Sequence, residues 1–563
     1  MLAVREKHAS VESANGGAPS RSKIAELFSL SPVEASIFLT FLVYAALFIW
    51  RSSFSIGGVR YFCLFDDDMI SMTYAANLAH GYGLVWNPGG HRVLGFTNLL
   101  WVLYLSLFHL LPISAAKISL FIQASGAVFL GLSLLITRRI GQAAFPDQPG
   151  VGTLSMLLVG LYGPLVNWSL QGTEVSLLTL FVTGSVWLAL DAVGSESPAF
   201  LLYLVLGVST LCRVDMAVFA GIVLLSLSFA CPSRWRWHLL VGGLIVGAFL
   251  LAQFSFNLAY YGEPLPNTYY LKLTGYPISG RLRSGLKAAL ILFLPLLPLI
   301  AIVLGTVSVR RMRNEYRLTL VAPLVGQMLY SIWVGGDAWE WWGGANRYIS
   351  IVMPLFFVLV SSALLNYAGI ISRLAGGTGR LRWYAERSAL AVFAVAALFL
   401  TNVYHLRNNL LLASPLQTAK SHEPWNCNED MVRQALLIRS LTERHARIAV
   451  VWAGAIPYFA RRSAIDLLGK NDVKIAHEPM HVESKIARDH GFWPGHLKWD
   501  YQYSIERLKP DVVLQLWGVG SKDLPFLTAK YVPVSVSGFT WYVRSDSRQL
   551  REPLQHALAA ESK

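Results

Sequence analysis

The stretch "FDDDMISMTYAANLAHGYGLVWNPGG", residues 65–90, decides how this chain is read. It sets three successive carboxylates, Asp66, Asp67 and Asp68, just after an apolar run of membrane length, in a chain of 563 residues that is only 14% charged. One acid is enough to cap the helix that the following residues spell, by accepting bonds from its first N–H groups. Three repel one another, a cost that a cation or a proton-accepting role offsets. The stretch is therefore either a cap alone or part of an acid–base or cation-binding site. Chain order does not say which acid is the base, because like charges raise a carboxyl pKa while a helix N-terminus lowers it.

What the acids can do depends on the side of the bilayer they face. With 54% hydrophobic residues the chain holds more apolar material than one soluble core, which makes it a polytopic α-helical membrane protein. Spans need about 20 apolar residues each, and roughly eleven such segments run from 33–50 to 388–404 by hydropathy. The 47 Lys and Arg against 33 Asp and Glu give a formal charge of +14. These cations fall in short gaps between apolar runs, where they orient helices and do not mark a nucleic-acid partner. There is no P-loop or dinucleotide glycine pattern, and the four cysteines, Cys63, Cys212, Cys231 and Cys427, lie too far apart in sequence for zinc-type pairs.

The stretch "FTNLLWVLYLSLFHLLP", residues 96–112, is apolar enough to span but short and aromatic. Placing it on the surface puts the basic gaps "TRRIG", "SRWRWH", "VRRMRNEYR" and "SRLAGGTGRLRWYAER" together on the cytoplasmic side. Residues 1–32 then read as a disordered cytoplasmic N-terminus, with the first apolar run kept as a signal anchor. Residues 33–404 form the membrane domain, with a first outer loop at 51–116. Beyond 405 short strand patterns ("RIAVVWAG", "DVVLQLWG", "VPVSVSGFTWYVRS") alternate with helical ones. Residues 405–563 are enough for a separate α/β domain, expected outside the cytoplasm on the face of the acids.

Unusual polar and aromatic loops gather on that same face. "PNTYYLKL" offers Asn267, Tyr269, Tyr270 and Lys272, and "GGDAWEWWGGANRY" offers Asp337, Glu340 and Arg347 beside three tryptophans. Cations at an interface suit an anionic head group, and aromatics suit a sugar's apolar face, although interfacial belts are rich in Trp without any ligand. Arg213 and Asp215 read as a structural ion pair lining a cavity, and Glu174 in "QGTEV" carries the same ambiguity. Residues alone thus leave two classes open, an enzyme acting on a lipid phosphate and a lipid or sugar transporter. One-sided loop placement of the ionisable residues favours the enzyme.

In sequence order "DDDMISMTYAANLAHGYGLVWNPGGHRVLGFTNLLW", "GTEVSLLTLF", "CRVDM", "EPLPNTYYLKL", "GGDAW…NRY" and "IDLLGKNDVKIAH…PGHLKWD…LKPDVV" resemble the GT-C glycosyltransferases, in the branch of terminal β-(1→2)-arabinofuranosyltransferases and related pilin-glycosylating enzymes. The resemblance implies an inverting transferase of the bacterial cytoplasmic membrane, with interfacial helices in the first outer loop. It would move a pentose, arabinofuranose, from a polyprenyl-phosphate donor to a glycan or surface-protein acceptor on the outer face. It implies Asp66 as base with Asp67 beside it, and Lys272 and Arg347 on the donor phosphate. Asp68, Glu174, Asn267, Tyr269, Asp337 and His496 are expected around the sugars, with His477, Gly495 and Lys498 as further acceptor contacts. Thr73 stands where the family commonly has Arg, so one expected cation is missing. A divalent cation suits carboxylates, but no spacing demands one. Mannosyl or aminoarabinosyl transfer, and a lipid-linked sugar flippase, are the rival readings.

Overall fold

The structure, a computed structural model, describes residues 25–195, 199–305, 312, 314–338, 340, 346–376, 379–407 and 428–561. Each expected apolar segment is helical. Among the described residues eight helices are long and apolar enough to cross a bilayer, and nine if Gly150–Gly160 and Gly163–Leu170, bent by 59° at their junction, count as one span. The other two expected segments are the short helices Phe200–Cys212 and Met216–Ala230, which meet at the Arg213–Asp215 turn. The expected eleven therefore reduces to eight or nine by length, because 13 and 15 residues rise only about 20–23 Å at 1.5 Å each.

The first long helix, Pro32–Arg51, starts at a capping box in which the Ser31 and Glu34 side chains each accept from the other's backbone N–H. Residues 25–31, expected to be disordered, instead meet Arg138, which donates to the carbonyls of Glu26, Leu27 and Ser29 and to Glu34 Oε2 at 2.9 Å. The rest of the expected disordered segment, residues 1–24, lies outside the described residues.

After this helix comes a small hairpin, β1 (Phe54–Ile56) and β2 (Val59–Tyr61), in the register Phe54↔Tyr61. Helix Asp66–Ala79 follows, and the ambiguous apolar stretch forms helix Leu99–His109. Its 11 residues rise about 16 Å, roughly half a hydrocarbon core, so it cannot span unaided.

The C-terminal domain carries a five-stranded mixed sheet in the order β4-β3-β5-β7-β6, where β3 is Arg447–Val450, β4 Ser463–Asp466, β5 Val512–Val513, β6 Tyr531–Val536 and β7 Phe539–Arg544. Strands β4, β3 and β5 are parallel, and β7 and β6 form an antiparallel hairpin. Its turn sits at Ser537 and Gly538, both with φ above zero, as a two-residue hairpin loop demands. β3 and β4 are buried at three of their four positions, which is why they read as short apolar runs without strict alternation. The loops that leave the carboxyl ends of β3 and β4 meet the helix Asp66–Ala79, through Ala455 and Lys470 respectively. That end is where open α/β sheets place their functional loops.

Candidate active site

The three acids occupy the first turn of helix Asp66–Ala79. Successive side chains on a helix project about 100° apart, and each acid accordingly meets a different neighbour.

Asp66 turns to the soluble domain. Its Oδ1 accepts from Ala455 N at 2.8 Å, and its backbone carbonyl lies so close to Gly454 that a Cβ there would come within 1.9 Å of it. Burial pushes the Asp66 carboxyl up to about 6, partly offset by the Ala455 N–H. Sequence reading puts the base here, but Asp66 does not line the cavity that holds the other acids. The tight junction with residues 454–455 has taken its carboxylate.

Asp67 lines that cavity, which measures about 330 Å³. Its Oδ1 accepts from Lys470 Nζ, and its Oδ2 lies 3.4 Å from Arg347 Nη1. Burial alone would raise its pKa, but Lys470 and Arg347, with Lys272 farther off, hold it well below the usual carboxylate range.

Asp68 meets Glu174 carboxyl to carboxyl, and burial followed by that like charge pushes it well above the ordinary value. Its Oδ1 is buried and has no hydrogen-bond partner among the described residues. Glu174 Oε2 accepts from Asn98 Nδ2 at 3.2 Å, and its Oε1 lies 3.7 Å from Arg213. Arg213 also clamps Asp215 through two nitrogens, as expected of that pair.

Arg347 is built into place. Asn346 caps the short helix Arg347–Ser350 by accepting from the N–H groups of Tyr348 and Ile349. Asp337 then accepts from Arg347 Nε at 2.8 Å, from its Nη2 at 2.9 Å and from its backbone N–H at 3.1 Å. The guanidinium plane lies 4.9 Å from the Trp168 ring. Asp337 is thus a holder of Arg347, and that ion pair keeps its carboxyl low despite burial. The turn that delivers Asp337 needs Gly335 at φ +92, where a Cβ would also strike Phe492. Glu340 accepts from Asp337 N and from Asn346 Nδ2, and burial pushes it up to about 7. The tryptophans at 339, 341 and 342 lie outside the described residues.

Lys272 and Tyr269 both line the cavity. Asn267 is buried and faces the soluble domain, donating from Nδ2 to the carbonyls of Gly469 and Lys470 at 3.3 and 3.2 Å. His496 lines the cavity beside Gly495, with Nδ1 against Pro494 O at 2.9 Å, and burial pushes it down to about 3, which keeps it neutral. Lys498 donates to Thr274 and Ala476 O, while His477 stacks on Tyr270 at the surface.

Sequence reading missed Lys470. It rides on the loop after β4, where Asp466 accepts from the N–H groups of Leu468, Gly469 and Asn471 at 2.8–3.1 Å. The quoted "IDLLGKND" contains both residues, but nothing local says that this lysine crosses to the first loop. Tyr348, the end of the quoted "NRY", and Tyr330 also line the cavity, but neither was singled out in the sequence.

Among the described residues no group of three or more His, Cys, Asp or Glu could hold a metal, and both oxygens of Asp67 already face cations.

A family profile described as a domain of unknown function, DUF8728, matches residues 425–550. No curated protein matches the chain in sequence. Among solved structures, ArnT from Cupriavidus metallidurans in the apo state resembles it with a TM-score of 0.56 at 14% identity, over 90% of this chain and 97% of that one. The same ArnT bound to undecaprenyl phosphate gives 0.55 at 12%, over 93% and 98%. The Archaeoglobus fulgidus oligosaccharyltransferase in complex with zinc and sulfate gives 0.56 at 13%, over 91% and 73%. At such identities the likeness is one of fold, and the fold is of the GT-C type.

Proposed function

We propose that this protein is an inverting membrane glycosyltransferase that takes a sugar from a polyprenyl-phosphate donor. The observation that carries the reading is the convergence of Arg347, Lys470 and Lys272 on one carboxylate, Asp67, in a cavity that also holds buried acids. The cations around Asp67 suit a phosphate, and the buried Asp68 and Glu174 carboxyls suit hydroxyl or ammonium groups. The likeness to a protein whose solved structure contains undecaprenyl phosphate supports the donor class.

The reaction is one displacement. The acceptor hydroxyl oxygen attacks the anomeric carbon, the bond from that carbon to the phosphate oxygen breaks, and the polyprenyl phosphate leaves with the electron pair. Asp67 takes the hydroxyl proton, since it is the acid that both lines the cavity and adjoins the cations. General-base help of this kind contributes roughly 10²–10⁴-fold. Arg347, Lys470 and Lys272 stabilise the charge that grows on the phosphate. Phosphate is a competent leaving group, so no second acid is needed to protonate it.

The pentose, arabinofuranose, rests on the sequence resemblance alone. A second donor has an observation in its favour: the Asp68–Glu174 pair suits the ammonium of an aminopentose as well as it suits hydroxyls. The test is incubation of purified protein with polyprenyl phosphates carrying arabinofuranose, aminoarabinose or mannose. Release of polyprenyl phosphate from one of them fixes class and donor together, and release from none, with lipid-linked sugar still moved across vesicles, would favour a transporter. The reading also places the soluble domain outside the cytoplasm of a bacterial inner membrane. An alkaline phosphatase fused after residue 561 should then be active, and an inactive fusion of a correctly inserted protein would reverse the topology.

A further inference from the structure

Resting on that reading, we propose that the Asp67 carboxylate sits in the seat of the donor's phosphate, so that donor binding displaces it from Lys470 and Arg347 and frees it to act as the base.

Three observations support the exchange. First, the two cations are anchored from behind. Asp337 holds Arg347 by Nε and Nη2, which leaves Nη1 as the nitrogen presented to Asp67. Asp466 and Asn267 fix the loop of Lys470. Asp67 is the looser member, with its side chain 24% exposed against 11% for Arg347 and 13% for Lys470. Second, a carboxylate and the donor's phosphodiester present the same pair of charged oxygens to such a fork, and the phosphate gains further charge as the sugar leaves. Third, the cations come from distant parts of the chain, and Lys470 comes from the soluble domain.

The exchange couples base strength to donor occupancy. While Lys470 and Arg347 sit on Asp67, its carboxylate is held low and is a poor proton acceptor. Once the phosphate draws the cations, the same carboxylate loses the charges that weakened it, beside the anomeric carbon it must serve. The soluble domain then completes the phosphate site as well as covering it.

The proposal is tested by the affinity of the full-length protein in detergent for undecaprenyl phosphate. Removing the resident anion removes a competitor, so D67N should bind this lipid roughly 3- to 10-fold tighter, while K470Q and R347Q should bind at least roughly tenfold weaker. Equal or weaker binding by a folded D67N would show Asp67 to be a counter-ion that orders the cations, and the exchange would be wrong. D67S serves if D67N does not fold. On the wild type, carbodiimide–amine labelling of Asp67, mapped by mass spectrometry, should rise when the lipid is added, and protection would overturn the exchange. A wild type that does not bind undecaprenyl phosphate at all would instead remove the donor reading itself.

Discussion

Lys470 Nζ donates to Asp67 Oδ1 across 403 positions of sequence, and this contact joins the C-terminal domain to the helix Asp66–Ala79 at the cavity. Asp66 makes the neighbouring junction through Ala455 N. Two adjacent acids of one helical turn thus meet different surroundings, Asp67 the cavity and Asp66 the junction with the C-terminal domain.

That division separates their variants. D67N should lose transfer by roughly 10²–10⁴-fold, the range of a lost general base, whereas D66N keeps an oxygen for the Ala455 N–H and should retain most activity. Rates of polyprenyl phosphate release by the two folded proteins decide it. A D66N as inactive as D67N would return the base to Asp66.

Asp66 also predicts a pH dependence. Its carboxyl is raised to about 6 by burial, above the unfolded value near 3.9, so the folded state holds its proton more tightly than the unfolded state. Stability from this group is greatest at low pH, declines between about pH 4 and 6, and the cost of the buried charge, roughly 3 kcal/mol, is fully present above that. D66N carries no such charge. The difference in Tm between D66N and the wild type should therefore grow through this window and level off above it, and parallel curves would contradict the assignment.

Asp337 tests how Arg347 is held. Removing one partner from a buried charge pair costs about 3–5 kcal/mol, so D337A should lower Tm clearly. D337N keeps one oxygen and should fold, but with Arg347 less well aimed. Its transfer rate should fall by roughly 10²-fold or less, the scale of one misplaced electrostatic donor. Unchanged kinetics in D337N would mean that Arg347 needs no holder.

The Asp68–Glu174 pair is costly as two carboxyls, and Gln at 174 could still accept from Asn98 and donate to Asp68. E174Q should therefore match or exceed the wild type in Tm. If the pair holds the sugar, kcat/KM falls by roughly 10- to 150-fold, the value of a charged hydrogen bond, while affinity for undecaprenyl phosphate stays within about twofold. Loss of lipid binding in E174Q would place the pair at the phosphate instead.

Much of the fold was legible because membrane segments are long, apolar and local. Length and hydropathy found each apolar segment, and the 11-residue helix Leu99–His109 within residues 96–112 is too short to span unaided. The count fell from eleven to eight or nine because two expected segments form helices of 13 and 15 residues, too short to cross alone, and a third is bent by 59° between Gly160 and Gly163. In the C-terminal domain the strand patterns were readable for the same local reason, whereas the turn at Ser537–Gly538, inside a stretch read as one strand piece, and the pairing order β4-β3-β5-β7-β6 were not.

By itself the sequence determined a polytopic helical protein with a separate α/β domain, and it put Asp66, Asp67, Asp68, Lys272 and Arg347 in loops able to share one side of the bilayer. Only the tertiary structure decided what each acid meets, because residues 100° apart on one turn are equivalent in sequence until each direction is filled by a neighbour. It likewise decided that Lys470 belongs to the site. Contacts between domains depend on surfaces that meet after each part has folded, and no periodicity or short motif encodes which lysine will stand opposite which carboxylate.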